Sequence, residues 1–309
     1  MPQESNMVTI GSRGSALALV QTYHIKKQIN RSFPEMEVAI KIIKTSADKD
    51  TTASIRSGTA VGVFVKEIEQ ALLEGEIDLA VHSMKDLPTR IPAGLRLAAV
   101  PEREDVHDVL LFAGPLSLER LPAGARIGTG SLRRQAQILA LRPDLKILDI
   151  RGNIHTRIRK LEQGMYDAVI LAGAGLNRLE IKYRFSEKLS LNRMLPAPGQ
   201  GALALEIRDQ DRRLEKITEA LNHWPTFWAI TAERSFLHCM GGGCNVPIAA
   251  YARVRGDFLQ MDALVALPDG SRVLRQTLRC QTHQLDEAIK KFADEMLALG
   301  AGEILDRLR

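Results

Sequence analysis

The sequence predicts an α/β protein: two similar α/β domains with mainly parallel strands, followed by a small C-terminal α+β domain. Three observations carry this expectation. Short apolar runs alternate with helix-period patterns through the first two-thirds of the chain. One half of that region echoes the other. From about His223 the pattern changes to one helix, a glycine-rich loop, several alternating strands and a last helix. A length of 309 residues agrees with two or three domains.

Taken in order, Val8-Thr-Ile10 reads as a strand, Gly11-Ser-Arg-Gly14 as a loop, and a helix opens at Ser15 and runs to about Ile29. Residues 38–43 form a second strand, and Phe64, Ile68, Ala71 and Leu72 share one helical face. Leu79-Ala-Val81 is a short strand that ends in His82-Ser-Met-Lys-Asp-Leu-Pro88, where the proline prevents regular continuation. Between these elements, residues 46–60 are polar and aperiodic, the composition of a lid or a disordered loop. The echo pairs Ile10-Gly-Ser-Arg-Gly-Ser15 with Ile127-Gly-Thr-Gly-Ser131. It also pairs Leu73-Glu-Gly-Glu-Ile-Asp78 with Leu161-Glu-Gln-Gly-Met-Tyr-Asp167, with one gap. The breaker cluster Leu195-Pro-Ala-Pro-Gly-Gln-Gly201 marks a crossing between domains, after which residues 202–207 return as a strand to the first. The expected domains are therefore 1–103 with 202–221, then 104–201, then 222–309.

Composition narrows the function. A net charge of +5 favours an anionic ligand without pointing to nucleic acid, and an aromatic content of 5% is poor material for base stacking. No apolar run approaches a membrane span, and the first residues lack a basic start leading into an apolar stretch, so a cytoplasmic address is expected. Three cysteines do not make a disulfide framework. The four residues between Cys239 and Cys244 exceed the usual zinc-knuckle spacing, so no metal is expected. Neither glycine loop has a nucleotide fingerprint.

Basic side chains gather where strands end: Arg13, Lys85, Arg133, Arg134, Arg151 and Arg178, with Arg157 on a following helix. Singly these are ordinary surface residues; together at strand ends they describe an anion-lined cleft, with Ser15 and Ser131 at helix N-termini. Asp86, a carboxylate in this basic company, fits either a capping or ion-pairing role or that of a group that holds a cationic intermediate and moves protons. Cys244 follows Gly241-Gly-Gly243, a loop that leaves a thiol accessible. His82 reads as a hydrogen-bonded structural histidine and Cys280 as buried packing.

These residues resemble the porphobilinogen deaminase (hydroxymethylbilane synthase) family over nearly the whole chain. The resemblance rests on His82-Ser-Met-Lys-Asp-Leu-Pro88, Gly128-Thr-Gly-Ser-Leu-Arg-Arg-Gln135, Arg151-Gly-Asn153, Pro196-Ala-Pro-Gly-Gln-Gly201 and Gly242-Gly-Cys-Asn-Val-Pro247, in the family's order. It implies two periplasmic-binding-protein-like α/β domains plus the small third domain, and a monomer that binds neither nucleic acid nor membrane. The implied reaction joins four molecules of the small substrate porphobilinogen head to tail with loss of ammonia, then releases the linear tetrapyrrole by hydrolysis. The implied cofactor is dipyrromethane, held by a thioether to Cys244, with Asp86 catalytic. Ser83, Lys85, Thr129, Ser131, Arg133 and Arg134 fall on cofactor-binding positions. Arg13, Ser15, Arg151, Arg157, Arg178 and Gln200 fall on substrate-binding positions, with Phe64 as the aromatic beside the cofactor. Val61 departs from the family's lysine, His107 from its arginine and Val106 from its proline. A non-enzymatic small-anion binding protein is the competing reading; it needs neither Cys244 nor a carboxylate at Asp86.

Overall fold

The computed structural model describes residues 6–44, 65–241 and 246–308. Residues 46–60, Val61, Phe64 and Cys244 lie outside the described residues. The chain divides into two compact units, Met1–Glu104 with Ala202–Phe227, and Asp105–Gly201 with Trp228–Arg309. The first begins with β1 (Met7–Arg13), α1 (Ala16–Ser32), β2 (Glu37–Ile43), α2 (Lys66–Leu73), β3 (Leu79–Ser83) and β4 (Leu95–Ala99). The second opens with β5 (Asp108–Phe112), β6 (Arg126–Gly128), α3 (Leu132–Leu141), β7 (Lys146–Leu148), α4 (Ile154–Glu162), β8 (Ala168–Ala172), α5 (Gly173–Arg178) and β9 (Ser186–Lys188). There follow β10 (Leu203–Arg208), α6 (Arg212–Leu221), α7 (Trp224–Cys239), β11 (Ile248–Arg255), β12 (Phe258–Ala266), β13 (Val273–Gln281), α8 (Leu285–Met296) and α9 (Gly302–Asp306).

Two five-stranded sheets share one topology, β2-β1-β3-β10-β4 and β7-β6-β8-β5-β9. In each, the first three strands are parallel, and the fourth runs antiparallel to its neighbours on both sides. That fourth strand follows a crossover: β5 leads the chain into the second sheet, and β10 brings it back into the first. The expected return of residues 202–207 and the pair of similar α/β sheets are thus the observed architecture. A third, antiparallel sheet, β11-β12-β13, packs with α7 and α8 around Phe236, Met261 and Ile289, each fully buried.

The internal echo is a true repeat, and tighter than the sequence suggests. Asp78 accepts a hydrogen bond from the N–H of Thr9 and donates its own N–H to the Thr9 carbonyl; Asp167 makes the same two bonds with Arg126. Gly75 and Gly164 both follow a helix with φ near +70° and both donate to the carbonyl three residues back. Counting from these glycines, Leu72 rather than Leu73 matches Leu161, and no gap is needed.

Gly11 also corrects the expected loop. The strand runs on to Arg13, and Gly11 lies inside it because Ile77 crosses there: a Cβ on Gly11 would sit 2.2 Å from Ile77 Cδ1. Gly128 plays the same part under Tyr166, at 2.9 Å. Both glycines therefore mark close approach within a strand rather than a turn.

Within the second unit, Glu233 is fully buried and accepts the N–H groups of Gly199 and Ala252, at 2.7 and 2.8 Å. It ties the crossover to the third sheet. Arg275 on that sheet donates to the carbonyls of Leu191 and Asn192. Beside it, Ala249, Leu264 and Ala266 pack on Ala136 of α3 and on Leu195. His107, at the family's arginine position, pairs its ring with Asp105, which also binds Lys188. Among the described residues no helix is long and apolar enough to cross a membrane.

The turn of Gly270 closes on α3 at φ +72°, and a Cβ there would lie 2.4 Å from the backbone N of Ala140. Gly270→Ala is expected to destabilise the protein by about 1–3 kcal/mol, the usual cost of overpacking, measured by urea unfolding. Unchanged stability would show that this turn does not bear on α3.

Candidate functional site

In the first unit, functional side chains converge at the carboxyl ends of β1 and β3. β1 ends at Arg13, and Ser15 caps α1 by accepting the Ala18 N–H at 3.3 Å. β3 ends at Ser83, after which a single 3₁₀ turn, Met84–Asp86, carries Lys85 and Asp86 before Pro88 stops it. Met84 anchors the turn from the core, fully buried, while Asp86 stays exposed. Gln21 of α1 donates to Ser83 Oγ at 2.9 Å and so ties the helix to the strand end. Arg13, Ser15, Gln21, His82, Ser83 and Asp86 line one cavity of about 90 Å³. Four of the residues singled out in the sequence therefore share a site: Arg13, Ser15, Ser83 and Asp86. His82 has the structural bond expected of it, Nε2 lying 2.9 Å from Glu206 Oε2.

In the second unit the centre is a residue that the sequence reading did not pick out. Asp108 is fully buried at the start of β5, with Arg133 Nη1 at 2.8 Å and Arg134 Nη2 at 2.7 Å. Arg134 Nε adds a second bond at 3.1 Å. Burial alone would push the Asp108 carboxyl up; Arg133, and then Arg134, overcome it and hold it far below the usual carboxylate range. Arg133 also donates to the Leu195 carbonyl and Arg134 to that of Ile170. Both arginines, expected as carboxylate binders, are thus buried on Asp108. Gln200 joins them, donating to Asp108 Oδ1 at 3.0 Å and to the Val106 carbonyl at 2.7 Å. Thr129 is buried and accepts the Ser131 N–H, and Ser131 caps α3. The sequence signal for Asp108 is its charge at the head of an apolar strand, Asp108-Val-Leu-Leu-Phe112.

Arg151 and Arg157 stand at the neighbouring helix N-terminus. Gly152, at φ +110°, turns the chain so that Asn153 caps α4. A Cβ on Gly152 would meet Thr156 at 2.7 Å. Arg151 is exposed and paired with Asp149 at 2.8 Å, while Arg157 donates to the Gly152 carbonyl. The Arg157 guanidinium is pushed down to about 10 by burial first, then by the positive charges of Arg134 and Arg151. Arg178 donates to the Gly201 carbonyl at 2.7 Å, on the crossover. A guanidinium depressed by burial and then by two further cations marks a place where an anion would bring relief. Among the described residues no cluster of His, Cys, Asp or Glu could hold a metal ion.

Residues 8–216 match the family described as "Porphobilinogen deaminase, dipyromethane cofactor binding domain", and residues 227–298 match "Porphobilinogen deaminase, C-terminal domain". A porphobilinogen deaminase of Thermus thermophilus is 45% identical over 304 residues, 98% of this chain and 99% of that one. One of Nitratidesulfovibrio vulgaris is 47% identical over 303 residues, 97% and 96% of the two chains. Among solved structures, the periplasmic VFT2 domain of Bordetella pertussis BvgS is 16% identical, with a TM-score of 0.43 over 70% of this chain and 87% of that one.

Asp108→Asn removes the single carboxylate shared by two buried guanidiniums, and it is expected to cost about 3–5 kcal/mol of stability. Because the folded carboxyl lies below its ordinary value, the deficit is full above about pH 4 and narrows as pH falls. Urea unfolding at neutral and acidic pH checks both the size and the sign.

Proposed function

The chain belongs to the porphobilinogen deaminase family, an enzyme of tetrapyrrole biosynthesis with a dipyrromethane cofactor, and from that premise we propose how its residues divide the work. Asp86 is the acid/base. The cation-crowded end of the second unit binds the acetate and propionate groups of substrate and product. Cys244 is the attachment point, by thioether. The protein acts as a cytoplasmic monomeric transferase. The observation that carries this reading is the exposed Asp86 carboxylate in a cavity that it shares with Arg13, Ser15 and Ser83. A cation and hydroxyls suit the carboxylates of a pyrrole, and Asp86 suits its developing positive charge.

The donor set fits the cofactor. Arg133 Nε is buried and has no hydrogen-bond partner among the described residues, and Thr129 and Ser131 offer hydroxyls at the same helix end. Ser83, Lys85, Arg133 and Arg134 would hold its carboxylates. Arg13, Ser15, Arg151, Arg157, Arg178 and Gln200 serve the incoming ring, directly or by holding the crossover in place. When bound, dipyrromethane supplies the free pyrrole carbon on which condensation begins.

Asp86 acts at the substrate. The C–N bond of the aminomethyl group breaks, ammonia leaves, and the ring becomes a cation; the exposed Asp86 carboxylate stabilises that cation through the pyrrole N–H. A carbon–carbon bond then forms to the exocyclic methylene of that cation, and the proton lost from the pyrrole ring carbon that makes the bond passes to Asp86. One carboxylate at the end of a rigid strand suffices for repeated cycles because each cycle presents the same groups. The alternative of a passive anion receptor is not favoured, since the family's chemistry accounts for Asp86 and the receptor does not.

Intact-mass measurement of the protein beside its Cys244→Ser variant tests the attachment. The expected result is an excess of two linked pyrrole units, absent from the variant. The same excess in the variant would move the linkage to another residue.

A further inference from the structure

The repeated sheets show which buried groups the fold itself requires. In the second sheet Leu111 pairs with Val169, and in the first Glu206 pairs with Ala80. Val169 and Ala80 occupy matching positions, opposite Gly128 and Gly11. Glu206 therefore stands where its twin has Leu111, and His82, two residues past Ala80, stands where the twin has Leu171. Counted from Gly75 and Gly164, Glu69 on α2 stands where the twin has Ile158 on α4. Leu111 and Leu171 lie in one apolar core, and the partly buried Ile158 packs against it. The same three places in the first unit hold two glutamates and a histidine, at 9%, 6% and 0% exposure for Glu69, His82 and Glu206. An apolar trio satisfies this fold, and buried ionisable groups are costly. The charged trio therefore requires a reason outside packing.

The site supplies one. His82 lines the cavity with Asp86 and Arg13, and its Nε2 is bound to Glu206 from β10. Glu69 faces the pair from α2, feeling the charge of both Glu206 and His82. One oxygen of each glutamate, Oε1, is buried without a hydrogen-bond partner among the described residues. Two orphaned carboxylate oxygens beside an imidazole leave capacity for one more proton than the His82–Glu206 pair holds.

We propose that Glu69, His82 and Glu206 form a buried proton-holding trio that sets the charge beneath Asp86, making them positioning residues for the condensation. When Glu69 releases its proton the trio gains one negative charge, which favours a substrate cation in the cavity. Burial first, and then Glu206, raise the Glu69 carboxyl, against the opposing pull of His82. A group raised in the folded state lends stability below its unfolded value and loses it as pH rises through the folded one. The proposal rests on the assignment of Asp86.

The test installs the twin's own residues: Glu69→Ile, His82→Leu and Glu206→Leu together, beside Glu69→Gln and Asp86→Asn. The apolar trio is expected to fold with a Tm at or above that of the wild type. Its kcat should fall about tenfold with KM nearly unchanged, and its kcat–pH profile should lose the limb along which Glu69 gives up its proton. Glu69→Gln should gain Tm over the wild type as pH rises. A folded apolar trio with wild-type kcat and pH profile overturns the proposal. If the trio does not fold, Glu69→Gln decides alone, and a Tm difference and kcat profile both flat in pH overturn it. An active Asp86→Asn would instead discard the Asp86 assignment while leaving the Glu69 stability readout intact.

Discussion

Two guanidiniums on one buried carboxylate set the terms for the second unit. Asp108 neutralises only one of the two charges that Arg133 and Arg134 bring inside, so the cluster keeps a net positive charge. Its bonds reach four separate stretches: the start of β5, the first turn of α3, the β8 strand through the Ile170 carbonyl, and the crossover through Leu195 and Gln200. A cluster with so many fixed partners cannot relax by swinging a side chain into solvent. The surplus charge favours an anion nearby, and Arg157, depressed first by burial, is depressed further by Arg134. Packing of the third sheet on Ala136 and Leu195 adds a further hold on the same helix.

The duplicated architecture separates what the fold needs from what the chemistry needs. Both sheets require an aspartate that binds the first strand, Asp78 or Asp167, and a glycine under a crossing side chain, Gly11 or Gly128. Beyond these the two units place buried charge differently. Asp108 faces Ala172 across its sheet, while the matching position opposite Ser83 is Leu203. The first unit instead buries Glu206, where the second has a leucine. Each unit thus carries charge at a place where its twin shows that none is required, and in each it borders the proposed site residues.

Much of this was legible in the sequence. Alternating apolar runs located β1, β2, β3 and the return strand β10, because strands buried on both faces admit little but apolar residues. Ser15, Ser131 and Asn153 followed helix-capping rules, of which the first two were read. The misses share a cause. Gly11 was taken for a loop because a glycine in sequence does not reveal that Ile77 crosses above it. Asp108 went unnoticed, and Arg133 and Arg134 were treated as ligand donors alone, because the partner of a buried charge lies 25 or 26 residues away in the chain and only folding joins them. The glutamates of the first unit were invisible for the same reason. Residue types near strand ends announce a site; which of them face the ligand and which face one another is a tertiary fact.

The assignment on which the chemistry turns is that of Asp86, and rapid-quench intact-mass analysis of Asp86→Asn with porphobilinogen tests it most directly. The expected spectrum holds the folded, cofactor-bearing protein with almost none of the successive one-ring additions that the wild type acquires. A full ladder of additions at the wild-type rate would contradict it and return the proton-transfer role to another residue of the cavity.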